Sequence, residues 1–100
     1  MQQNVELIQL VARLRQQLPL LTQQYEVKSL GLFGSYVRHE QRPGSDVDVL
    51  VTFYESPSLL KFIELEDHLT DTLGVKVDLV MPDTLKPAIK ERIASEVISI

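Results

Sequence analysis

Residues 30–52 read LGLFGSYVRHEQRPGSDVDVLVT, and this stretch decides the interpretation of the whole chain. Its apolar beginning, residues 30–33, predicts a strand that ends at Gly34. A glycine at that point lets the backbone approach another group closely or take a turn that other residues avoid. If the chain enters a helix at Ser35, the free N–H groups and the positive end of that helix form an anion site. The stretch therefore predicts a phosphate-type turn.

Two arginines follow this turn. Arg38 and Arg42 come after Ser35 at spacings of three and four residues, so a helix would place all three side chains on one face. The Pro-Gly pair at 43–44 must end that helix, and a second strand begins at about Ser45. We therefore predict a short helix between the first two strands.

The second strand carries a pair of carboxylates. Ten residues separate Ser35 from Asp46, and Asp48 follows on the same strand. Because side chains alternate along a strand, both aspartates face the same way, with Cβ atoms roughly 6 to 7 Å apart. A lone Gly-Ser is merely a turn and a lone Asp-x-Asp is often a solvated face, but aspartate is disfavoured in a strand of Val and Leu. Since carboxylate oxygens are the ligands that Mg²⁺ prefers, the combination predicts a cation site.

The composition is that of an ordinary globular chain. Its 100 residues suffice for a single domain over residues 1–100, with 44% hydrophobic and 24% charged residues. The net charge of −4 argues against binding of duplex nucleic acid, which requires a basic face. The absence of cysteine excludes disulfides and thiolate metal sites. Without a signal sequence or an apolar run of ~20 residues, we expect a cytoplasmic protein that does not enter a membrane.

Apolar periodicity predicts the elements before the central stretch. A first helix covers residues 5–18, with Asn4 as its N-cap and Pro19 at its exit. The first strand then covers residues 27–33. Both elements are interpreted as structural.

The elements after the central stretch follow the same rules. A helix is capped at Ser58 and ends at Gly74, and a third strand covers residues 75–80. A last helix begins near Pro87, because proline suits a first helical turn. The exposed Ile and Val residues at the end of the chain are a candidate interface.

The order of these elements predicts an α/β fold, with a mixed sheet of α+β character packed with helices. The strand–helix–strand order in the second half forms a βαβ unit, so the second and third strands should be parallel. The short link between the first two strands favours an antiparallel pair, which brings Gly34 and Ser35 beside Asp46 and Asp48. If the third strand neighbours the second, Asp78 joins the same face.

These residues carry a resemblance to a known family. Gly34-Ser35, ten residues, Asp46-x-Asp48 and a later strand aspartate, Asp78, resemble the signature of the nucleotidyltransferase superfamily that includes DNA polymerase beta. More closely, GLFGSYVRHEQRPGSDVDVLV and VKVDLVMPDTLKPAIKERI resemble the minimal nucleotidyltransferases, or MNT proteins, which are usually encoded beside a HEPN-domain partner. The resemblance covers about residues 27–100.

The resemblance implies a fold and a set of residue roles. The fold is a mixed sheet of three or slightly more strands with helices, and the reaction moves a nucleoside monophosphate from a triphosphate to a hydroxyl. In the family's pattern Asp46 and Asp48 bind Mg²⁺, with two ions expected, while Asp78 helps to hold a metal and assists deprotonation of the hydroxyl. Gly34 and Ser35 cradle the β- and γ-phosphates. Positioning and charge neutralisation are what phosphoryl transfer requires.

Two alternatives stay open for Arg38 and Arg42. They fit as partners of phosphate, or of the charge that develops in the transition state. They fit equally well as salt-bridge partners of the aspartates or of Glu40.

The resemblance implies one function and leaves two others open. The implied function is that of an MNT antitoxin, which uses ATP and Mg²⁺ to transfer AMP onto a tyrosine hydroxyl of a HEPN RNase toxin in a hetero-oligomer. A protein that occludes the toxin without catalysis is the second, and the complete set of aspartates argues against it. A small-molecule nucleotidyltransferase of the antibiotic-modifying kind is the third, and the lack of room for an acceptor-binding domain argues against it.

Overall fold

The computed structural model of the chain describes the backbone of residues 5–100 and the side chains of residues 7–100. Within this part the helices are α1 (Val5–Tyr25), α2 (Leu59–Leu73) and α3 (Pro87–Glu96). The strands are β1 (Val27–Phe33), β2 (Val47–Phe53), β3 (Val77–Val80) and β4 (Ile98–Ser99), with a 3₁₀ turn at Pro82–Thr84. The N-cap predicted at Asn4 lies outside the described residues. No helix from residue 5 onward combines the length and apolar character needed to cross a bilayer.

The strands form one mixed sheet in the order β3-β2-β1-β4. β1 and β2 pair antiparallel and β2 and β3 pair parallel, which confirms both predicted pairings. β4 pairs antiparallel with the other edge of β1, where Leu32 lies opposite Ile98. The sheet is therefore the predicted mixed sheet, enlarged by one short strand.

One face of the sheet forms the core. Val47, Val49 and Val51 of β2 are fully buried, whereas Asp48 and Leu50 between them are half-buried, as the two-residue period of a strand requires. The buried face packs against leucines of α1 and α2, namely Leu10, Leu14, Leu21, Leu65, Leu69 and Leu73. Asp48 consequently projects from the face opposite these two helices.

The prediction that the first helix ends at Pro19 is wrong. α1 continues to Tyr25 with Pro19 inside it. Leu14, Leu18 and Leu21 form one buried or half-buried stripe that crosses the proline. A proline inside a helix costs about 3 kcal/mol, whereas a buried leucine contributes about 1.5 to 3 kcal/mol. The longer helix is favoured because it buries Leu21 completely and Tyr25 in part.

The helix of the βαβ unit has the predicted ends. The Ser58 hydroxyl oxygen accepts a hydrogen bond from the Lys61 N–H at 3.1 Å, which caps the first turn. Gly74 ends the helix in the left-handed conformation, with φ of 74°. Both caps agree with the sequence prediction.

Two side chains of α2 hold the exposed edge of β3. Thr70 Oγ1 accepts a hydrogen bond from the Val77 N–H at 3.0 Å, and Glu66 Oε2 accepts one from the Leu79 N–H at 2.9 Å. An edge strand would otherwise leave these N–H groups unpaired. β3 begins at Val77, two residues later than predicted, and α2 thereby fixes the strand on which Asp78 lies.

The end of the chain is not the exposed interface that the sequence suggested. Ile98 and Ile100 pack against the core, and the Ile100 N–H donates a hydrogen bond to the Leu30 carbonyl at 2.9 Å. Val97 lies against Gly31, where an added Cβ would be 2.5 Å from Val97 Cγ2. The absence of a side chain at Gly31 therefore makes room for the chain end beside β1.

Candidate active site

A compact turn, not a helix, follows β1. The Arg38 N–H donates a hydrogen bond to the Gly34 carbonyl at 3.1 Å, and the Glu40 N–H donates one to the Ser35 carbonyl at 2.8 Å. Residues 35–39 are turns, and residues 40–42 have no regular structure. A single turn lacks the aligned peptide dipoles and the regular face of a helix. The predicted short helix is therefore wrong, and so is the placing of both arginines on one helical face.

Gly34 lies directly against Asp48. Its φ of 86° is a conformation that residues with a side chain rarely adopt. A Cβ added here would overlap Asp48 Oδ2 and would lie 2.9 Å from Asp48 Cγ. Both reasons for a glycine, a special turn and a close approach, therefore apply at this position.

The strand register brings Asp48 beside Asp78. Asp48 of β2 pairs with Asp78 of β3 on one side and with Phe33 of β1 on the other. Residues paired directly across neighbouring strands project to the same face. Asp46 immediately precedes β2, two residues before Asp48, so the strand begins two residues later than the predicted start at about Ser45 and only Asp48 lies on it. The aspartates and Gly34 therefore gather where β1 ends and where β2 and β3 begin.

The surroundings of Asp48 raise its pKa to about 6. Burial is the largest cause, and the negative charges of Asp78 and Asp46 add to it. The positive charge of Arg38 acts in the opposite direction. A cation bound among these carboxylates would remove the penalty of holding like charges together, so the electrostatics favour one.

These oxygen donors suit Mg²⁺, although they do not form a closed cage. From residue 7 to the chain end, no three carboxylate, imidazole or thiol groups lie close enough together to hold a metal ion unaided. Mg²⁺ is commonly held by one or two carboxylates, with water and substrate phosphates completing its shell. Asp48, flanked by Asp46 and Asp78, is a donor set of that open kind.

Glu96 is a member of this site that the sequence interpretation missed. Its Oε2 accepts a hydrogen bond from the Gly34 N–H at 2.7 Å and lies 3.1 Å from Arg38 Nη1. The Gly34 N–H, followed by Arg38, lowers the pKa of the Glu96 carboxyl. Glu96 is 62 residues from Gly34 along the chain, so no short spacing links them. β4, the strand that places Glu96 beside β1, has only two residues, so its sequence offers no period by which the strand could have been predicted.

The two arginines differ in their surroundings. Arg38 Nε lies 3.0 Å from Glu40 Oε1, and Arg38 also pairs with Glu96. Hydrogen bonds to Glu40 and then to Glu96 raise the pKa of Arg38. The Arg42 guanidinium forms no salt bridge with the described residues, and its backbone N–H donates to Ser45 Oγ at 2.8 Å. Arg38 therefore lies at the Gly34 turn, paired with carboxylates, whereas Arg42 lies on the loop before β2.

Comparison with known proteins decides the family. Residues 13–100 match the family model described as a nucleotidyltransferase domain. The chain belongs to the nucleotidyltransferase family. This nucleotidyltransferase is 53% identical over 78 residues to the protein adenylyltransferase MntA of Thermococcus cleftensis, covering 78% of this chain and 79% of that protein. The enzyme class and the resemblance noted in the sequence are thereby confirmed.

Solved structures share the fold of this nucleotidyltransferase. One, described as a proposed minimal nucleotidyltransferase, has a TM-score of 0.79 at 36% identity and covers 94% of this chain and 95% of that chain. Another comes from the complex of a tri-AMPylated Shewanella oneidensis HEPN toxin with an MNT antitoxin. It has a TM-score of 0.65 at 20% identity and covers 90% of this chain and 70% of that chain. At that identity the second likeness concerns the fold alone.

Proposed function

We propose that this nucleotidyltransferase is an MNT antitoxin that transfers AMP from ATP to a tyrosine hydroxyl of a HEPN RNase toxin and thereby neutralises the toxin. The name of the Thermococcus cleftensis relative, a protein adenylyltransferase, supports a protein as the acceptor. The Shewanella oneidensis complex, which joins an AMPylated HEPN toxin to an MNT antitoxin, supports the toxin as partner in a hetero-oligomer. The catalytic unit is a single domain over residues 1–100.

The observation that carries the proposal is the pairing of Asp48 with Asp78 beside the Gly34 turn. It supports the proposal because the carboxylates proposed to bind the metal lie next to the backbone that the proposal assigns to the β- and γ-phosphates. Phosphoryl transfer depends on holding the triphosphate and its neutralising charges together in one place. Carboxylates on the opposite face of the sheet would not meet that requirement.

Each residue then has a role in the transfer. The tyrosine oxygen forms a bond to the α-phosphorus of ATP, the bond from that phosphorus to the α,β-bridging oxygen breaks, and pyrophosphate leaves. Asp78 assists removal of the hydroxyl proton, and Asp46 and Asp48 would hold Mg²⁺ with its help. Two such ions, when bound, supply positive charge that stabilises the attacking and leaving oxygens.

The groups around the turn position the triphosphate. The Gly34 N–H and Ser35 bind the β- and γ-phosphates, because backbone N–H groups and hydroxyls donate to phosphate oxygens. Arg38 and Arg42 supply positive charge to the phosphates. The half-exposed guanidinium of Arg38, already at the turn, is the better placed of the two.

The test is intact-mass spectrometry of the toxin after incubation with the chain, ATP and Mg²⁺. We expect the mass of the toxin to rise by whole AMP groups with the wild-type chain, and to stay unchanged with Asp46→Asn/Asp48→Asn. Fragment-ion mapping should locate the AMP on a tyrosine. No adduct with the wild type, or an undiminished adduct with the double variant, would contradict the proposal.

A toxicity-rescue assay separates catalysis from occlusion. Cells that express the toxin together with Asp78→Asn should lose protection if AMP transfer neutralises the toxin. Full protection by this variant would support occlusion without catalysis. Transfer of AMP to a small hydroxyl compound, with no adduct on the toxin, would support the small-molecule alternative.

A further inference from the structure

The turn assigned to the phosphates already holds an anion. Glu96 Oε2 accepts the Gly34 N–H at 2.7 Å, and both carboxylate oxygens lie within hydrogen-bond distance of Arg38 Nη1, at 3.2 and 3.1 Å. A backbone N–H combined with a guanidinium is a donor pair that proteins also use for phosphate oxygens. The Glu96 carboxylate therefore occupies the donors that the proposed function assigns to the triphosphate.

Glu96 is held at this position by directed contacts. Only 18% of its side chain is exposed, and its two oxygens share three hydrogen bonds with Gly34 and Arg38. Its charge also acts unfavourably on Asp48, in the same sense as the charges of the neighbouring aspartates. A triphosphate that binds together with cations would reduce this repulsion between negative charges, whereas Glu96 adds a negative charge without a cation.

We propose that Glu96 is an autoinhibitory plug of the phosphate site, which a triphosphate must displace from Gly34 and Arg38 before the nucleotide binds. This inference rests on the proposed function, because it takes the Gly34 turn as the phosphate site. On binding, the phosphate oxygens replace the carboxylate at both donors, and Glu96 moves to solvent. Only chains in which Glu96 has left Gly34 and Arg38 can bind the triphosphate. The apparent affinity is therefore the intrinsic affinity multiplied by the fraction of such chains.

Displacement of Glu96 should also loosen the last residues of the chain. Glu96 is the last residue of α3, and Val97 and β4 follow it directly. β4 pairs with β1, and the Ile100 N–H donates to β1 as well. Release of Glu96 removes a contact that ties the end of α3 to the end of β1. Triphosphate binding should consequently speed amide hydrogen exchange at Ile98 and Ile100.

The first test is isothermal titration calorimetry of the full chain with inorganic tripolyphosphate and Mg²⁺. This probe carries the phosphates without a base or a transferable AMP. Glu96→Gln keeps an oxygen that accepts the Gly34 N–H but removes the charge, so the fold is preserved while the competition weakens. We expect it to bind about fivefold to tenfold more tightly than the wild type. Glu91→Gln removes a charge from an exposed position of the same helix and should bind as the wild type does.

The second test uses the unaltered chain, so it does not depend on how a variant folds. Hydrogen exchange followed by NMR should become faster at Ile98 and Ile100 when tripolyphosphate saturates the protein. Unchanged or slower exchange would overturn the plug, as would equal or weaker binding by Glu96→Gln. Those results leave the proposed function in place, because the wild type still binds tripolyphosphate. Failure of the wild type and both variants to bind it would overturn the phosphate site and the plug together.

Discussion

Asp48 and Asp78 stand opposite each other on neighbouring parallel strands, so two like charges lie close together in the folded chain. Like charges directly across a strand pair are destabilising. Burial, followed by the charges of Asp78 and Asp46, raises the pKa of Asp48 to about 6. The arrangement becomes favourable when a cation lies among the carboxylates. Removal of the charge at Asp48 should therefore raise the free energy of unfolding of the metal-free protein and lower the rate of AMP transfer.

The first prediction concerns Asp48→Asn in metal-free protein. The pKa of about 6 in the folded chain lies above the ordinary 3.8, so ionised Asp48 destabilises the folded state relative to the unfolded chain. One pKa unit corresponds to about 1.4 kcal/mol, and solvent screening of this half-buried group reduces the total. By urea denaturation in EDTA at about pH 8, we expect the variant to be ~1 kcal/mol more stable than the wild type. It should transfer no AMP.

The stability difference between these two proteins should grow with pH. The favourable contribution of protonated Asp48 is complete below its ordinary pKa of 3.8 and is lost as the pH rises through about 6. Asp48→Asn should therefore differ little from the wild type near pH 4 and reach its full advantage near neutral pH. Asp67→Asn, on the exposed surface of α2, is the control and should show no such growth. A difference that stays constant from acid to neutral pH would count against the electrostatic explanation.

Gly34→Ala should abolish transfer and weaken the fold. The added methyl group meets the Asp48 carboxylate, and the φ of 86° is strained for alanine. Backbone strain of this kind costs about 1 to 3 kcal/mol, and movement of Asp48 adds to it. We expect the free energy of unfolding to fall by about 2 to 3 kcal/mol, measured by urea denaturation. Intact-mass analysis should find no AMP on the toxin.

Gly44→Ala distinguishes the effect of backbone strain from the effect of the steric clash with Asp48. Its φ of 87° is nearly the same, but nothing lies within 4 Å of an added Cβ. We expect this control to lose about 1 kcal/mol of stability and to transfer AMP at the wild-type rate. If Gly34→Ala proved no more harmful than Gly44→Ala, the close approach to Asp48 would have no functional importance.

Mg²⁺ should stabilise the wild-type chain but not Asp78→Asn. A ligand that binds only the folded state raises the melting temperature by mass action, and loss of a carboxylate weakens that binding. EDTA should stop AMP transfer by the wild type, and added Mg²⁺ should restore it. We expect transfer by Asp78→Asn to be at least about 100-fold slower. Asp71→Asn, exposed on α2, is the control, and equal Mg²⁺-induced shifts in wild type and Asp78→Asn would remove Asp78 from the metal site.

The part of the site that rests on short spacings was predictable from the sequence. Side chains two residues apart on a strand share a face, and this rule predicted that Asp46 lies near Asp48, although Asp46 immediately precedes β2 in the structure. A βαβ unit implies a parallel pair, and that pairing brings Asp78 beside Asp48. The short link between β1 and β2 implies an antiparallel pair, and that pairing brings Gly34 beside Asp48. Each of these relationships requires only the local period and a connection rule.

Two of the missed parts depend on contacts that are distant in the chain, and the third depends on the backbone conformation of one residue. β4 has two residues, too few for a recognisable period, and its extended form comes from pairing with β1. The contact between Arg38 and Glu96 spans 58 residues. The segment after Gly34 has helix-compatible spacings, but His39 takes a positive φ of 60° and closes it after one turn. Local patterns carry no information on any of these three points.

Pro19 is a local helix-breaking signal that tertiary packing overrides, which leads to a last prediction. Alanine at this exposed position would restore an N–H that can donate to the carbonyl of Arg15, and it would remove the clash of the proline ring. The greater freedom of the unfolded chain offsets about 0.4 to 1 kcal/mol of that gain. We expect Pro19→Ala to raise the free energy of unfolding by about 1 to 2 kcal/mol in urea denaturation, with AMP transfer unchanged.

The matched variant for this prediction is Leu21→Ala. Leu21 is fully buried one half-turn beyond the proline, so its truncation should lower the free energy of unfolding by about 2 to 5 kcal/mol. Opposite signs for the two variants would show that burial of the second half of α1 holds the helix together in spite of Pro19. A destabilised Pro19→Ala would mean instead that α1 needs the bend of a proline to follow the sheet, and leucine burial would then be an insufficient explanation of its length.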